Sequence, residues 1–148
     1  MTTAIHRLVA ACRAQQEPGL VARMASGWAV MSATQVLRGY CLLLPDPVVP
    51  HLNALHGAAR SAFLDDLGRL GDAVLEVTGA LRVNYAIFGN LEPALHGHVI
   101  PRYADEPEAY RTANPWAYDW ARAPRLDLAR DGDLLERLRD RLQNPSSR

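Results

Sequence analysis

Lysine is absent from this chain, and other signals that define a class of function are absent with it. All 16 basic residues are arginine, and 16 acidic residues balance them, so the formal net charge is zero. A neutral chain has no global field that would draw it to nucleic acid or to an anionic membrane. The composition therefore predicts neither a nucleic-acid partner nor a membrane partner.

Long hydrophobic runs are missing as well. No apolar stretch approaches the roughly 20 residues that cross a bilayer, and the first 15 residues lack the features of a secretion signal. The two cysteines, Cys12 and Cys41, form no C-x-x-C pair. Nothing resembles a secreted disulfide framework, although a bridge between the two stays open. These absences favour a cytoplasmic protein.

Several catalytic signatures are also lacking. The sequence contains no glycine-rich phosphate loop, no Walker pattern, no paired catalytic carboxylates and no Ser-His-Asp order. What it does contain is 49% hydrophobic residues in a length of 148. A chain of this size buries about two-thirds of its unfolded surface. We therefore expect one domain over residues 1–148.

Residues 81–103, LRVNYAIFGNLEPALHGHVIPRY, carry the most informative pattern. Apolar runs at 83–88 and 99–100 are separated by turn residues and predict two strands joined by a short loop. His96 and His98 are two residues apart, so on a strand both imidazoles lie on the same face.

Such a histidine pair is compatible with three roles. One imidazole can attack phosphorus or carbonyl carbon while the other stabilises the developing charge. The pair can also contribute two ligands to a metal, but a zinc site needs three or four, and no nearby cysteine or well-placed carboxylate completes it. Two half-buried structural histidines are the third reading. The other histidines, His6, His51 and His56, are expected at the surface.

Periodicity places the pair within an α+β fold. We expect an antiparallel sheet of about five strands covered by one long helix, with short N- and C-terminal helices. The helices are predicted to begin after a Thr3 cap, to span 58–77 before a Gly79 cap, and to span 133–142. Strands at 27–31 and 40–44 are predicted to form a hairpin that pairs with the histidine strand.

Residues 104–125 lack a clean period and are predicted to form an irregular aromatic arm. Trp116, Tyr118 and Trp120 lie in this segment. Such aromatics pack against the domain, pack against a partner subunit or line a ligand cleft. Residues 126–148 complete the chain as a C-terminal helix and a frayed tail, Pro145 to Arg148.

The letters around the histidine pair resemble a known family signature. ALHGHVIPRY is similar to the motif of the histidine triad family, His-x-His-x-His followed by apolar residues and often Pro-Arg. In that register His96 is the family nucleophile and His98 is the last histidine. Ala94 stands where the first histidine normally lies.

A second segment, LRGYCLLLP, resembles the family pattern P-G-H-x-L-x-x-P. Gly39 matches, whereas Arg38 and Tyr40 replace the proline and the histidine. The family's strand before this turn supplies ribose and base contacts, so the resemblance makes Trp28, Ser32 and Tyr40 candidate substrate contacts. Core packing or turn hydrogen bonding is the alternative reading for each of them.

The resemblance implies a nucleotide hydrolase or nucleotidyl transferase, similar to the diadenosine polyphosphate hydrolases. His96 would attack the α-phosphorus of a nucleoside phosphate ester, anhydride or amidate and form a nucleotidyl-histidine. His98 would hydrogen-bond the phosphate oxygens, and the carbonyl of Ala94 would hold the nucleophile's other nitrogen. The resemblance also implies a homodimer, with the aromatic arm and the first helix as candidate contacts, and no cofactor.

Two further residues complete the expected site. Asn90 is expected to contact the leaving group, and Gly97 to allow backbone or substrate to approach closely. Glu92 is expected to face away from a polyanionic substrate. Because the first triad histidine is replaced, a catalytically weakened nucleotide-binding module stays open beside the enzyme, and a metal site is the third alternative.

Overall fold

One antiparallel sheet of five strands organises the computed structural model, which describes residues 1–144. The strand order is β1-β2-β3-β5-β4. The strands are β1 Leu20–Arg23, β2 Gly27–Met31, β3 Cys41–Pro45, β4 Arg82–Ala86 and β5 Gly97–Arg102. The α+β prediction is confirmed, including the β2–β3 hairpin and its pairing with β5.

Within residues 1–144, four helices and three short 3-10 turns surround the sheet. The helices are α1 Ala4–Arg13, α2 Gly57–Thr78, α3 Glu108–Arg111 and α4 Leu128–Gln143. The 3-10 turns are Leu52–Ala54, Pro115–Ala117 and Trp120–Arg122. Among residues 1–144, none of these helices is long and apolar enough to cross a membrane.

The two faces of the sheet have separate cores because strand side chains alternate between them. Helices α2 and α4 cover one face, where Phe63, Leu70 and Leu138 are fully buried. Helix α1 and the aromatic arm lie on the other face, packed on Trp28 and Leu42.

The cysteines belong to different cores. Cys12 packs with α1 on one face, and Cys41 packs below α2 on the other. Both thiols are free and buried, and burial is the main cause that raises each pKa to about 12. The disulfide that the sequence left open is therefore not formed.

The predicted helix caps are present. The Thr3 hydroxyl accepts from the amides of Ile5 and His6, and the Thr3 amide donates to Nδ1 of His6 at 3.1 Å. His6 therefore belongs to a capping box. Gly79 ends α2 with a left-handed φ of 69°, a conformation that glycine adopts without steric penalty. His51 and His56 are exposed, as expected.

Two boundaries differ from the sequence prediction. Helix α4 begins at Leu128, five residues before the predicted start, because the Asp127 side chain caps the amide of Ala129. The aromatic arm is not wholly irregular, since it contains α3 and two 3-10 turns. The predicted tail, Pro145 to Arg148, lies outside the described residues.

Candidate functional site

The register of β5 places the two histidines together. His98 lies opposite Leu42 of β3 on one side and Ala86 of β4 on the other. His96 directly precedes β5, and the two ring centroids are 5.0 Å apart at an interplanar angle of 69°. Both rings therefore lie on the face that α2 does not cover.

The tautomer of His96 follows from its hydrogen bond. Its Nδ1 lies 2.8 Å from the carbonyl oxygen of Ala94. A carbonyl oxygen can only accept, so Nδ1 carries the hydrogen and donates it. The other nitrogen, Nε2, is then left with a free lone pair. This is the arrangement that a nucleophilic imidazole requires.

His98 is held by a tyrosine. The Tyr40 hydroxyl lies 2.6 Å from His98 Nδ1, and the two rings stack at 5.9 Å. Burial lowers the pKa of His98 to about 4, and the neighbouring His96 adds to the shift. Burial also raises the pKa of Tyr40, so its phenol keeps its proton. At neutral pH the site therefore contains an uncharged imidazole and an uncharged phenol.

Aromatic rings from the arm cover His98. Trp116 meets the imidazole edge to face at 5.2 Å and stacks on Trp120 at 5.3 Å. Trp120 in turn contacts Tyr40 at 5.5 Å, and Phe88 contacts Trp116 at 4.9 Å. The arm thus packs against the domain itself, directly over His98.

A buried ion pair anchors the arm to the sheet. Arg102, at the end of β5, donates to Glu106 from Nε and Nη2 at 3.0 to 3.2 Å. It also donates to the carbonyl oxygens of Tyr110 and Ala113. Glu106 accepts from the hydroxyl of Tyr118 at 2.6 Å. These bonds tie the start and the middle of the arm to the sheet.

The sequence predicts neither this ion pair nor the contact of Phe88 with Trp116. The Pro-Arg letters of the motif pointed to Arg102, but its partner Glu106 lies in a segment without periodicity. Phe88 follows β4 at the end of a run that had been interpreted as strand.

Tyr40 contacts His98 and Ser32 contacts Tyr40, whereas Trp28 lies further along the sheet. Ser32 is buried, accepts from the amide of Thr34, and its side-chain hydrogen bond to Tyr40 moderates the rise in the Tyr40 pKa. Trp28 is opposite Leu44 in β2, and its indole Nε1 donates to Asp46 at 2.9 Å. Its hydrogen-bonding group is therefore already engaged.

The missing side chain of Gly97 leaves room on the opposite face of the sheet. A Cβ at this position would lie 2.5 Å from Cδ1 of Leu67 on α2. The close approach at Gly97 is thus made by a side chain of α2, on the face away from the histidines. Asn90 is exposed in the loop before β5. Glu92 accepts from the amide of Ala4 at the start of α1, in line with its expected exclusion from the site.

Ala94 is buried in the core below α1, with 1% of its surface exposed. Residue 94, which the motif resemblance aligns with the first triad histidine, is therefore enclosed by core side chains. Among residues 1–144 no group of three His, Cys, Asp or Glu side chains is arranged to hold a metal ion.

The fold is similar to that of solved structures, although the sequence matches no known family. No protein-family model matches the chain, and no curated protein matches it by sequence. A histidine triad protein from Marinobacter aquaeolei superimposes with a TM-score of 0.71 over 97% of this chain and 98% of its own, at 18% identity.

The chain has the histidine triad fold. A histidine triad protein from Bradyrhizobium japonicum gives a TM-score of 0.70 at 19% identity, covering 86% of this chain and 92% of its own. A hypothetical histidine triad nucleotide-binding protein from Sulfolobus tokodaii gives 0.72 at 14% identity, covering 93% and 92%. At these identities the likeness establishes the histidine triad fold, and the chemistry has to be argued from the site.

Proposed function

We propose that this protein is a nucleotide hydrolase or nucleotidyl transferase that works through a covalent nucleotidyl-histidine. Its substrate would be a nucleoside phosphate ester, anhydride or amidate. The hydrogen bond from His96 Nδ1 to the Ala94 carbonyl carries the proposal, because in the neutral imidazole it places the hydrogen on Nδ1 and leaves the lone pair on Nε2 for attack. That bond needs only the backbone of residue 94, so it persists although the side chain is alanine.

The first step would join His96 to the substrate. Nε2 forms a bond to the α-phosphorus as the bond from phosphorus to the leaving oxygen or nitrogen breaks. The leaving group departs with the bonding electrons and takes a proton from solvent. Water then attacks the same phosphorus and gives up a proton to solvent, the bond to Nε2 breaks, and its electron pair returns to the imidazole. A different acceptor in place of water would make the reaction a transfer.

The role of His98 would be to stabilise charge on the phosphate oxygens. With Nδ1 bound to the Tyr40 hydroxyl, its Nε2–H is left to donate to a non-bridging oxygen. The low pKa of His98 means that it would act as a neutral donor. A neutral donor pre-positioned in a partly buried site stabilises developing charge without having to be protonated first.

A nucleotide-binding module without turnover is the second candidate function. The buried Ala94 favours it, because the side chain of a first histidine is absent from the site. A protein of this kind would keep the pocket and bind nucleotide, but it would release the substrate unchanged.

Intact-protein mass spectrometry after rapid quench separates these two functions. Wild type and the His96→Ala variant would be incubated with adenosine phosphoramidate and with a diadenosine polyphosphate. If the protein is an enzyme, we expect an added nucleotidyl mass on wild type alone, with substrate consumed. A nucleotide-dependent rise in melting temperature without adduct or turnover would refute the enzyme and establish the binding module.

We further propose that the protein is a cytoplasmic homodimer. Exposed apolar side chains lie along and just beyond the edge strand β4, namely Leu81, Tyr85, Phe88 and Leu91. An edge strand with apolar neighbours is a common site of association between copies. Light scattering coupled to size-exclusion chromatography would give twice the chain mass of 16.3 kDa, and the mass of one chain at micromolar concentration would contradict the dimer.

A further inference from the structure

A cavity with a basic lining lies where the start of β4 meets the aromatic arm. Its volume is about 590 Å³, within the range of roughly 300 to 1,000 Å³ that small-molecule sites occupy. The polar residues that line it come from both elements: Arg82 and Asn84 from β4, and Arg111, Thr112 and Asn114 from the arm. A ligand in this cavity would therefore be held between the sheet and the arm.

The cavity is separate from the histidine pair. Arg82 lies opposite Arg102 in the sheet, whereas Ala86 lies opposite His98. The two positions are four residues apart along β4, which corresponds to about 13 Å of strand. Neither His96 nor His98 is among the residues that line the cavity. A function of this cavity therefore does not follow from the chemistry of the histidines.

The buried Arg102 builds the cavity as well as anchoring the arm. It donates to the carbonyl oxygens of Tyr110 and Ala113 at 2.9 and 2.8 Å. Arg111 and Thr112 lie between these two residues, so the same bonds hold them beside β4. Arg82, as the cross-strand partner of Arg102, is the nearest residue of β4 to this attachment. Two arginines distant in sequence are thereby brought to one cavity.

The lining has positive charge without a compensating carboxylate. The charge of Arg102 is balanced by Glu106 at 3.0 Å. Arg82 and Arg111 have no ion-pair partner within the part of the chain that the structure describes, residues 1–144. No aspartate or glutamate is among the residues that line the cavity. Two guanidinium groups are therefore available to an anion.

The uncharged polar groups of the lining supply further hydrogen-bond donors. The Asn84 side-chain oxygen accepts from Arg102 at 2.8 Å, and the Asn114 oxygen accepts from the Trp116 amide at 2.9 Å. Because both oxygens are engaged, each side chain is left with its NH₂ group as a donor. The Thr112 hydroxyl can donate as well. Donors thus come from β4 and from the arm.

These features match a phosphate group. A guanidinium group binds phosphate through two parallel N–H···O bonds. The oxygens of phosphate point to the corners of a tetrahedron, so they can accept from the strand and from the arm at once. The two oxygens of a carboxylate lie in one plane and cannot be surrounded in this way. A neutral or cationic ligand would leave both guanidinium groups without a counter-charge.

We propose that the cavity between Arg82 and Arg111 binds the phosphate group of a small phosphorylated molecule, at a site separate from the histidine pair. The inference goes beyond the function proposed above and does not depend on it. Arg82 and Arg111 would bind the phosphate oxygens, and the Thr112 hydroxyl and the Asn114 amide would donate to those that remain.

Methyl phosphate tests the site without a base or a sugar. Its second pKa is about 6, so at about pH 8 it carries nearly two negative charges. In ¹⁵N-labelled protein at low salt, we expect it to shift the backbone amide signals of Thr112 and Ala113, in wild type and in His96→Ala alike. Malonate carries the same charge on two planar carboxylates. We expect it to bind about tenfold more weakly, which corresponds to roughly 1.4 kcal/mol.

Three matched variants test the residues. Arg82→Gln and Arg111→Gln each remove a guanidinium group and keep a polar side chain. We expect each to weaken the binding of methyl phosphate about tenfold, because a charge-assisted bidentate contact is lost. Arg137→Gln is the control, since it removes the same charge from an exposed position on α4. It should leave the affinity unchanged, and equal losses in all three variants would overturn the proposal.

Other outcomes separate this site from the proposed function. If methyl phosphate shifts only signals around His96, and His96→Ala abolishes those shifts, the anion binds at the histidines and the present proposal is wrong. If malonate binds as tightly as methyl phosphate, the assignment to phosphate is wrong. If Thr112 and Ala113 shift while no nucleotidyl adduct or turnover is found, the cavity assignment stands and the enzyme does not.

Discussion

Replacing Tyr40 by phenylalanine should leave His98 as a mixture of its Nδ1–H and Nε2–H tautomers, while the ring contacts stay in place. The variant removes only the hydroxyl that lies 2.6 Å from His98 Nδ1. The phenyl ring can still stack on the imidazole at 5.9 Å and meet Trp120 at 5.5 Å. Any change therefore reports the hydrogen bonds of the hydroxyl, to His98 and to Ser32, rather than the packing.

The magnitude follows from the burial of His98. A buried acceptor left without its partner costs roughly 1–3 kcal/mol. Since 1 kcal/mol shifts the melting temperature of a chain of this length by about 3 °C, the variant should melt a few degrees lower. The ratio of the Nε2–H to the Nδ1–H form of His98 should fall by about tenfold for each 1.4 kcal/mol that the hydroxyl contributed. The value of kcat/KM should fall with the fraction of His98 that is in the Nε2–H form, which is about twofold for an equal mixture, because only that form donates to phosphate.

The decisive assay is the ¹⁵N spectrum of the imidazoles, which distinguishes the two tautomers without any substrate. Wild type should show His98 protonated on Nε2, and Tyr40→Phe should show a mixture. Tyr110→Phe is the control, because its ring packs on Tyr118 at 4.4 Å, away from the histidines. Wild-type His98 protonated on Nδ1, with the phenol accepting, would refute the reasoning. An unchanged tautomer in Tyr40→Phe would refute it as well.

Three further predictions concern the packing and charge around the site. Ala94→His should lower stability by about 1–3 kcal/mol and give no gain in turnover, because residue 94 is 1% exposed in a filled core; a stable variant with faster turnover would contradict this. Glu106→Gln should lower the free energy of unfolding, measured in urea, by about 3–5 kcal/mol, because it leaves buried Arg102 without its counter-charge. The variant should also shift tryptophan emission to longer wavelength as the arm loosens. An unshifted emission would show that the ion pair does not hold the arm. Burial and the neighbouring His96 lower the pKa of folded His98 from 6.5 to about 4. Between about pH 6.5 and 4 the unfolded chain therefore binds a proton on His98 that the folded chain does not bind. Stability should therefore fall by roughly 2 kcal/mol, after allowance for partial exposure, as pH decreases through that range. His98→Gln should lose less stability than wild type between pH 7 and 4.5, and equal losses would exclude His98 as the source.

The sequence predicted the sheet well because its signals are local. Apolar runs at 27–31 and 40–44, with a polar turn between them, predict the hairpin, and the spacing of His96 and His98 indicates that both rings lie on one face. Helix α2 followed from a regular apolar period. These patterns depend on neighbouring residues, so they are visible before the chain folds.

The parts that could not be predicted depend on contacts distant in sequence. The start of α4 was missed because Asp127 caps a polar first turn that contains no apolar period. The position of the arm was left open among three alternatives, because it depends on the pairing of Arg102 with Glu106 and on Trp116 reaching His98. The contact of Gly97 with α2 could not be predicted either, because Leu67 lies 30 residues earlier on another element.

The anchor of the arm has a consequence for how this site can be diversified. Arg102 holds residues 110 and 113 by their backbone carbonyl oxygens, and every amino acid supplies that atom. The identities of most side chains in the arm are therefore not constrained by their attachment. A combinatorial library could randomise the residues around Trp116 and Trp120 and keep Arg102 and Glu106. Its members should fold and present different side chains to the histidines. Substrate selectivity could then be evolved on the same scaffold.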